Sequence, residues 1–186
     1  MKELRLGLIA YGIRRMAEAT GGDAGSLVAE CLGRTPPELN AQPFEALLGQ
    51  HDASDEPLQA VLSLIRFAEE TDRGLTAAYY QPRKLALDEK TIFPTALPEA
   101  ARPDLGGLWD EFAGECRQAL RQDDDRAFLR FTHLLRKYAW ALPCTYGEAG
   151  VSLFEQFKAV AALVFASRSL EEPADAYLLV GGDIPG

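Results

Sequence analysis

The adjacent residues His51 and Asp52 are the side chains in this sequence best suited to hold a metal ion. Imidazole and carboxylate both bind divalent cations, and a bound cation can activate water and clamp phosphate oxygens. The pair would therefore suit phosphodiester cleavage. The chain has 2 histidines in all, however, which leaves such a centre short of ligands. We favour an exposed loop pair ahead of a helix over a working metal site.

The other histidine, His133, lies in a predicted helix with three basic residues, Arg126, Arg130 and Lys137. Their separations of three and four positions place all four residues on one face, as a basic stripe. Such a stripe could contact nucleic-acid phosphates or an acidic partner protein. The alternative, which we favour, is an ordinary solvated face that offsets the acidic residues 123–125 at the start of the helix.

The motif Gly181-Gly182-Asp183 follows an apolar run near the C-terminus. Glycines permit close approach of the backbone to a phosphate, and an Asp at a strand end can hold Mg²⁺. A plain turn accounts for the motif equally well. The sequence contains no P-loop and no glycine-rich dinucleotide-binding motif.

The three cysteines, Cys31, Cys116 and Cys144, are widely spaced. Their spacing matches neither a zinc site nor a redox motif. An odd number of cysteines at such spacing also argues against a disulfide framework.

Amphipathic helices account for most of the chain, so the sequence predicts a mainly α-helical protein. The predicted helices are a first one that ends at 20–22, then about 24–32, a turn at 44–48, and about 58–74, 105–121, 124–139 and 151–169. Ser152 and Glu155 form a capping-box pattern at the start of the last helix. The proline-interrupted stretch 79–103 is expected to be irregular, with Leu85, Leu87, Ile92 and Phe93 buried.

A strand is expected only at the end of the chain, in the apolar run 176–180. A single strand leaves its edges unpaired, and the upstream sequence offers few partners. We therefore expect the sequence to be the front part of a larger protein, cut where a second domain begins.

The composition is that of a globular protein, with 47% hydrophobic and 25% charged residues. The formal charge of −9 argues against a free-standing nucleic-acid-binding protein, although it leaves room for a local basic face. The apolar stretches are too short for a membrane span, and the N-terminus lacks a signal-peptide layout. A cytoplasmic protein without membrane contact is therefore expected.

The C-terminal third resembles the large subunit of type III CRISPR interference complexes. The similar residues are Trp140-Ala141-Leu142-Pro143-Cys144-Thr145 and Val151-Ser152-Leu153-Phe154-Glu155-Gln156-Phe157-Lys158-Ala159-Val160-Ala161-Ala162. In that family a similar helix immediately precedes the first strand of a palm domain, and that strand ends in a turn like 178–186. The stretch from Tyr79-Tyr80 to Ile92-Phe93-Pro94 is similar to the family's joint between its nuclease-like and palm regions.

The resemblance implies three regions. Residues 1–103 would form an HD-like helical domain, 104–172 its helical continuation, and 173–186 the first strand and turn of a ferredoxin-like palm domain. In the family the HD-type domain cleaves single-stranded DNA, and the palm domains make cyclic oligoadenylate. Mn²⁺, Ni²⁺ or Mg²⁺ and ATP are implied for the whole family protein only; we expect no cofactor for this chain.

The family's metal-binding His-Asp pair follows two leucines in the first helix, and neither ligand is present at the matching place, Leu8-Ile9-Ala10-Tyr11. His51 matches a later histidine position, and Glu69 stands where the family has an aspartate. Since lost ligands cannot be restored by surrounding residues, the resemblance implies a degenerate HD-like bundle. His51, Asp52 and Glu69 are then only weak catalytic candidates.

The expected function is a scaffolding and regulatory domain of a type III CRISPR large subunit, inactive as a nuclease. Its implied partners are other subunits of the ribonucleoprotein, with guide and target RNA contacted indirectly, and Gly181-Gly182-Asp183 would have a contact or turn role. One alternative is an HD-type metal-dependent nuclease that acts on single-stranded DNA through His51, Asp52, Glu69 and His133. Another is an all-α protein–protein adaptor unrelated to CRISPR.

Overall fold

The computed structural model describes residues 1–49, 78–79, 82–87, 95–96, 103–122, 126–143 and 151–173, and these are mainly helical. The helices of the described part are α1 (Lys2–Thr20), α2 (Ala24–Leu32), α3 (Ala41–Gly49), α4 (Leu105–Ala119), α5 (Ala127–Ala139) and α6 (Leu153–Ser167). Two short strands, β1 (Ala78–Tyr79) and β2 (Thr95–Ala96), pair antiparallel, with Ala78 opposite Ala96 and Tyr79 opposite Thr95.

Helix α1 lies at the centre of the described fold. It contacts α2, α4, α5 and α6. Its apolar side chains are buried on several sides of the helix, and Leu8, Ile13 and Met16 are completely buried. A helix that is apolar around most of its circumference belongs in the interior, and this explains why the others assemble around it.

The glycines of α1 let neighbouring side chains approach its backbone. A Cβ atom on Gly12 would lie 2.7 Å from Cε1 of Phe131 and 3.1 Å from Cε2 of Phe157. A Cβ on Gly7 would lie 2.9 Å from the side chain of Leu170. Glycine has a poor helix propensity, and the close packing of these side chains against Gly7 and Gly12 compensates for it.

Replacement of Gly12 with Ala is expected to lower the free energy of unfolding by about 1 to 2 kcal/mol, because the clash with two buried rings exceeds the gain in helix propensity. Gly114 of α4 is the matched control, since a Cβ there would meet nothing within 4 Å. Gly114→Ala should instead raise stability by about 0.5 to 1 kcal/mol. Urea unfolding followed by circular dichroism measures both, and a stabilised Gly12→Ala variant would contradict the packing.

The ends of the helices follow their sequence signals. Gly21 and Gly33 adopt left-handed conformations, with φ of 81° and 60°, and close α1 and α2. The Asp23 carboxylate accepts a hydrogen bond from the Ser26 backbone N–H at 3.1 Å, and the Ser152 hydroxyl accepts one from the Glu155 backbone N–H at 3.2 Å.

The contact between α4 and α5 is fixed by an arginine of α5 that binds the end of α4. Arg130 donates from Nε to the carbonyl oxygen of Ala119 at 2.7 Å and from Nη2 to that of Gln122 at 2.8 Å. A cation at the C-terminal end of a helix also meets its partial negative charge. The side chain therefore ties α5 to the end of α4.

Helix α6 completes the core through aromatic contacts. The ring of Phe157 lies 5.9 Å from that of Phe131, and 6.3 Å from those of Tyr11 and Phe128, measured between centroids. Because these residues belong to α1, α5 and α6, one ring joins three helices. Buried residues from both sides of the predicted boundary between 103 and 104 belong to one core cluster in the described part of the chain. The boundary itself stays a prediction.

Two expectations about the stretch 79–103 are wrong. Strand was expected only at the C-terminus, but β1 and β2 form a short pair. Leu85 and Leu87 were expected to be buried, but they are 38% and 97% exposed. The helix expected at 58–74, the strand at 176–180 and the expected burial of Ile92 and Phe93 lie outside the described residues. The HD-like arrangement stays a prediction. Within the described ranges, no helix combines the length and apolarity that crossing a membrane requires.

Candidate functional site

The metal-site candidates from the sequence lie in parts of the chain that the structure does not describe. These candidates are His51, Asp52 and Glu69, together with the turn Gly181, Gly182 and Asp183. Among the described residues, no group of three or more His, Cys, Asp or Glu side chains is placed to hold a metal ion. The proposed roles of these residues stay predictions.

The residues of the predicted basic stripe on α5 have two different roles in the structure: two of them bind α4, and two are exposed. Arg130 binds the end of α4, and Nζ of Lys137 donates to both carboxylate oxygens of Glu115, at 2.7 and 2.6 Å. Arg126 and His133 are exposed. The outward face of α5 is therefore defined by the residues Arg126, Leu129, His133 and Arg136, which we call the outer α5 face.

Lys137 also anchors the irregular segment 82–87. Its carbonyl oxygen accepts a hydrogen bond from the backbone N–H of Leu85 at 2.7 Å, and the Trp140 indole donates to the carbonyl oxygen of Arg83 at 2.8 Å. Partial burial opposes ionisation of Glu115, but hydrogen bonds from Lys137 and Tyr138 outweigh it and lower the pKa of Glu115. The carboxylate thus serves as a fixed anchor for the end of α5.

The buried carboxylate of Glu45 lies at the centre of a cluster of polar side chains. The carboxylate of Glu45 on α3 is 2% exposed, and its oxygen Oε1 accepts a hydrogen bond from the Tyr11 hydroxyl at 2.7 Å and from Nε2 of Gln156 at 3.1 Å. Nη2 of Arg15 donates to the same oxygen. We call Tyr11, Arg15, Glu45 and Gln156 the Glu45 cluster.

The Glu45 cluster joins three helices that are far apart in sequence. Tyr11 and Arg15 are one turn apart on α1, and Gln156 lies on α6. Nη1 of Arg15 also donates to Glu18 at 2.6 Å, and its guanidinium carbon lies 5.4 Å from the centre of the Tyr11 ring. Arginine can engage two carboxylates in this way because its planar group presents donors in several directions.

Burial and the Glu45 carboxylate keep the Tyr11 hydroxyl protonated. Burial is the largest cause of the raised pKa of Tyr11, followed by the hydrogen bond to Glu45 and the charge of Glu45. Burial disfavours the charge of Arg15, but hydrogen bonds to Glu18, Tyr11 and Glu45 prevail and raise its pKa. Tyr11 is therefore a neutral donor and Arg15 a cation throughout the physiological range.

The Glu45 cluster lies at the place where the sequence resemblance puts a metal-binding His-Asp pair. Ala10 and Tyr11 occupy that place, and they are only 2% and 5% exposed. Three donors crowd the Oε1 oxygen of Glu45, which leaves no room on that atom for a cation. The Glu45 cluster is therefore a structural network of charge-assisted hydrogen bonds.

Sequence reasoning missed Glu45 and Gln156, as well as the proximity of Cys31 to Cys116. Glu45 follows the apolar Phe44 in a short helix, and only its position within an apolar stretch hints at burial. The Sγ atoms of Cys31 and Cys116 lie 4.0 Å apart although 85 positions separate the residues in the sequence. No local motif can signal such a contact.

The raised pKa of Tyr11 predicts a loss of stability in alkali. In the unfolded chain the hydroxyl ionises near the ordinary pKa of 10.0, whereas in the folded chain it stays protonated. The stabilising contribution is therefore complete below pH 10 and decreases above it, by about 1.4 kcal/mol per pH unit for one such group. Tyr11→Phe should reduce this slope in urea titrations above pH 10, and equal slopes for the two proteins would contradict the assignment.

Comparison with known proteins gives no match, so an inference about function depends on the sequence, the fold and these contacts. No protein-family model matches the chain, and neither the curated proteins nor the solved structures include a match.

Proposed function

We propose that this chain is a scaffolding and regulatory domain of the large subunit of a type III CRISPR effector complex, acting in RNA-guided antiviral defence. In this proposal the domain packs against neighbouring subunits and does not cut nucleic acid. Its contact with guide and target RNA is indirect, through the assembled complex.

The observation that carries the proposal is the Glu45 cluster. A nuclease of the HD type needs metal ligands that face a substrate-accessible centre. At the matching place on α1, Tyr11 is instead 5% exposed and donates to the buried Glu45. The bonds among Arg15, Glu45 and Gln156 tie α1 to α3 and α6. These bonds favour a structural role for this part of the domain.

A second support comes from the segment on which the resemblance depends. Within it, Ser152 caps α6, and the backbone N–H of Leu153 donates to the carbonyl oxygen of Leu142 at 2.8 Å. Phe157 and Val160 are buried in the shared core. The hydrogen bond between Leu153 and Leu142 ties the start of α6 to the residues that follow α5. Such a contact suits a domain to which another domain is attached.

The outer α5 face is the surface that we assign to a partner subunit. Its Leu129 is 56% exposed, and Arg126 and His133 lie about one turn before and after it. An apolar side chain among basic ones suits an acidic protein surface with an apolar centre. Arg130 and Lys137 of the predicted stripe stabilise the domain itself and are not part of this surface.

Co-expression tests the proposal. The full chain, carrying an affinity tag, is produced with the backbone-forming subunits of a type III complex and a guide RNA, and we expect all of them to co-purify. The double variant His133→Glu/Arg136→Glu should reduce recovery of the partners at least about tenfold, because it reverses the charge of the face. Arg14→Glu is the control, since the Arg14 side chain is 42% exposed but lies on α1, away from this face, and pairs with Glu38.

Recovery of the chain without backbone subunits or RNA would refute the proposal. Equal recovery with the wild type and the double variant would refute the assignment of the outer α5 face. Circular dichroism of each variant before the experiment separates a lost contact from a lost fold.

A further inference from the structure

Cys31 and Cys116 bring two thiols together across the contact between α2 and α4. Cys31 lies in the last turn of α2 and is half-buried, whereas Cys116 lies in α4 and is completely buried. Their Sγ atoms are 4.0 Å apart, and both thiols are free. A disulfide requires about 2 Å between the sulfurs, so the two sulfurs would have to move about 2 Å closer together to form the bond.

The environments of the two thiols differ. The hydrogen bond with Cys116 is the main cause that lowers the pKa of Cys31, with a further contribution from the charge of Arg117. The same contact raises the pKa of Cys116, as does burial. Burial and the charge of Glu30 oppose ionisation of Cys31 but do not outweigh the causes that lower its pKa. The Glu30 carboxylate is itself held by Nε of Arg117 at 2.5 Å. Cys31 is thus the thiol that ionises first, and it is also the more accessible one.

We propose that Cys31 and Cys116 form a peroxide-reactive dithiol site, in which hydrogen peroxide converts the two thiols into a disulfide that links α2 to α4. The site does not depend on the proposed function. Thiolate character and access make Cys31 the residue that reacts with peroxide, and proximity makes Cys116 the one that resolves the product.

The chemistry balances in two steps. The Cys31 thiolate attacks one oxygen of hydrogen peroxide, the O–O bond breaks, and Cys31 becomes a sulfenic acid while the departing hydroxide takes up a proton to form water. The sulfur of Cys116 then attacks the Cys31 sulfur and displaces hydroxide, which leaves as water with the proton of Cys116. Two thiols are oxidised by two electrons in all, one peroxide is reduced, and two waters form.

The disulfide would constrain a long part of the chain. The linked residues are 85 positions apart, and the bond would close a loop that contains α3 and most of α4. Closing a loop of this length restricts the unfolded chain. Oxidation should therefore raise the melting temperature by about 5 to 10 °C, and a thiol reductant should reverse the shift.

The experiment uses the full chain with Cys144→Ser, so that the third cysteine cannot react. After treatment with hydrogen peroxide and alkylation of the remaining thiols under denaturing conditions, we expect a product that has lost two hydrogen atoms and carries no alkyl group. Non-reducing peptide mapping should join the peptides of Cys31 and Cys116. In Cys116→Ala, peroxide should leave a Cys31 sulfenic acid that dimedone labels, and Cys31→Ser should not be labelled.

Three results would overturn the proposal. The first is a folded protein in which both thiols remain alkylatable after peroxide. The second is oxidation of Cys31 to the sulfinic acid without a linked product while Cys116 is present. The third is failure of dimedone to label Cys116→Ala, provided that circular dichroism shows this variant to be folded.

Discussion

Replacement of Glu45 with Ala is expected to lower the free energy of unfolding by about 3 kcal/mol or more. The change leaves the Tyr11 hydroxyl and Nε2 of Gln156 without their acceptor in the interior. It also removes one of the carboxylates that bind the Arg15 guanidinium, although Glu18 remains bound to it. The Arg15 side chain is 16% exposed and so has only limited access to water. Removal of one member of a buried charged pair is costly because the other charge stays desolvated. Urea unfolding at neutral pH measures the loss.

Two matched variants identify the source of that effect. Tyr11→Phe removes a single donor and should cost only about 1 kcal/mol at neutral pH. Gln156→Met should change stability by less than about 1 kcal/mol, because the buried Gln156 oxygen Oε1, which has no hydrogen-bond partner among the described residues, is removed together with the donor. If Glu45→Ala costs no more than these two variants, the carboxylate does not organise the three helices.

Replacement of Phe157 with Ala is expected to lower the free energy of unfolding by about 3 to 5 kcal/mol. The Phe157 side chain is 2% exposed and packs against rings from α1 and α5. Its loss would leave a cavity where three helices meet, and well-packed neighbours can fill such a cavity only in part. Thermal and urea unfolding of the variant measure the effect.

Phe165 is the matched control, on the same helix. It is only half-buried, and its described ring contact is with Phe128, at 5.3 Å between centroids. Phe165→Ala should therefore cost less than half as much as Phe157→Ala, because part of its surface already meets water. Equal losses would mean that Phe157 has no special position in the core.

The boundaries of the described helices were largely predictable because their signals are local. Helix α2 spans the predicted residues 24–32, between an Asp23 cap and the left-handed Gly33. The last helix begins at the predicted Ser152 cap and ends within two residues of the predicted end. Capping residues and apolar periodicity depend on a few neighbouring positions, so one sequence is enough to read them.

The contacts between helices were not predictable in the same way. Tyr11 and Glu45 are separated by 34 positions, and Glu45 and Gln156 by 111. Helical spacing placed Arg130 and Lys137 on one stripe with His133. It could not show that Arg130 binds the end of α4 or that Lys137 binds Glu115. Such partners are set by the packing of whole helices, which the pattern within one helix does not encode.

The exposure of Leu87 shows that the burial of an apolar residue was also not predictable from a local pattern. An apolar side chain in a proline-rich stretch was expected to be buried, yet Leu87 is 97% exposed. Burial depends on whether a surface is nearby to cover the residue, and a folded protein leaves many apolar atoms in contact with water. Leu85 shows the same for a residue that contacts the fold. Its backbone N–H is hydrogen-bonded to Lys137, while its side chain remains 38% exposed.

The most direct test of the proposed scaffold role is a nuclease assay on the purified full chain. Single-stranded DNA is incubated with the protein and Mn²⁺ or Ni²⁺, with His51→Ala and Asp52→Ala assayed in parallel. We expect no metal-dependent cleavage by the wild-type protein, because the Glu45 cluster occupies the place on α1 where the resemblance puts the first metal ligands. Metal-dependent cleavage that His51→Ala abolishes would contradict the scaffold role and identify the chain as a nuclease.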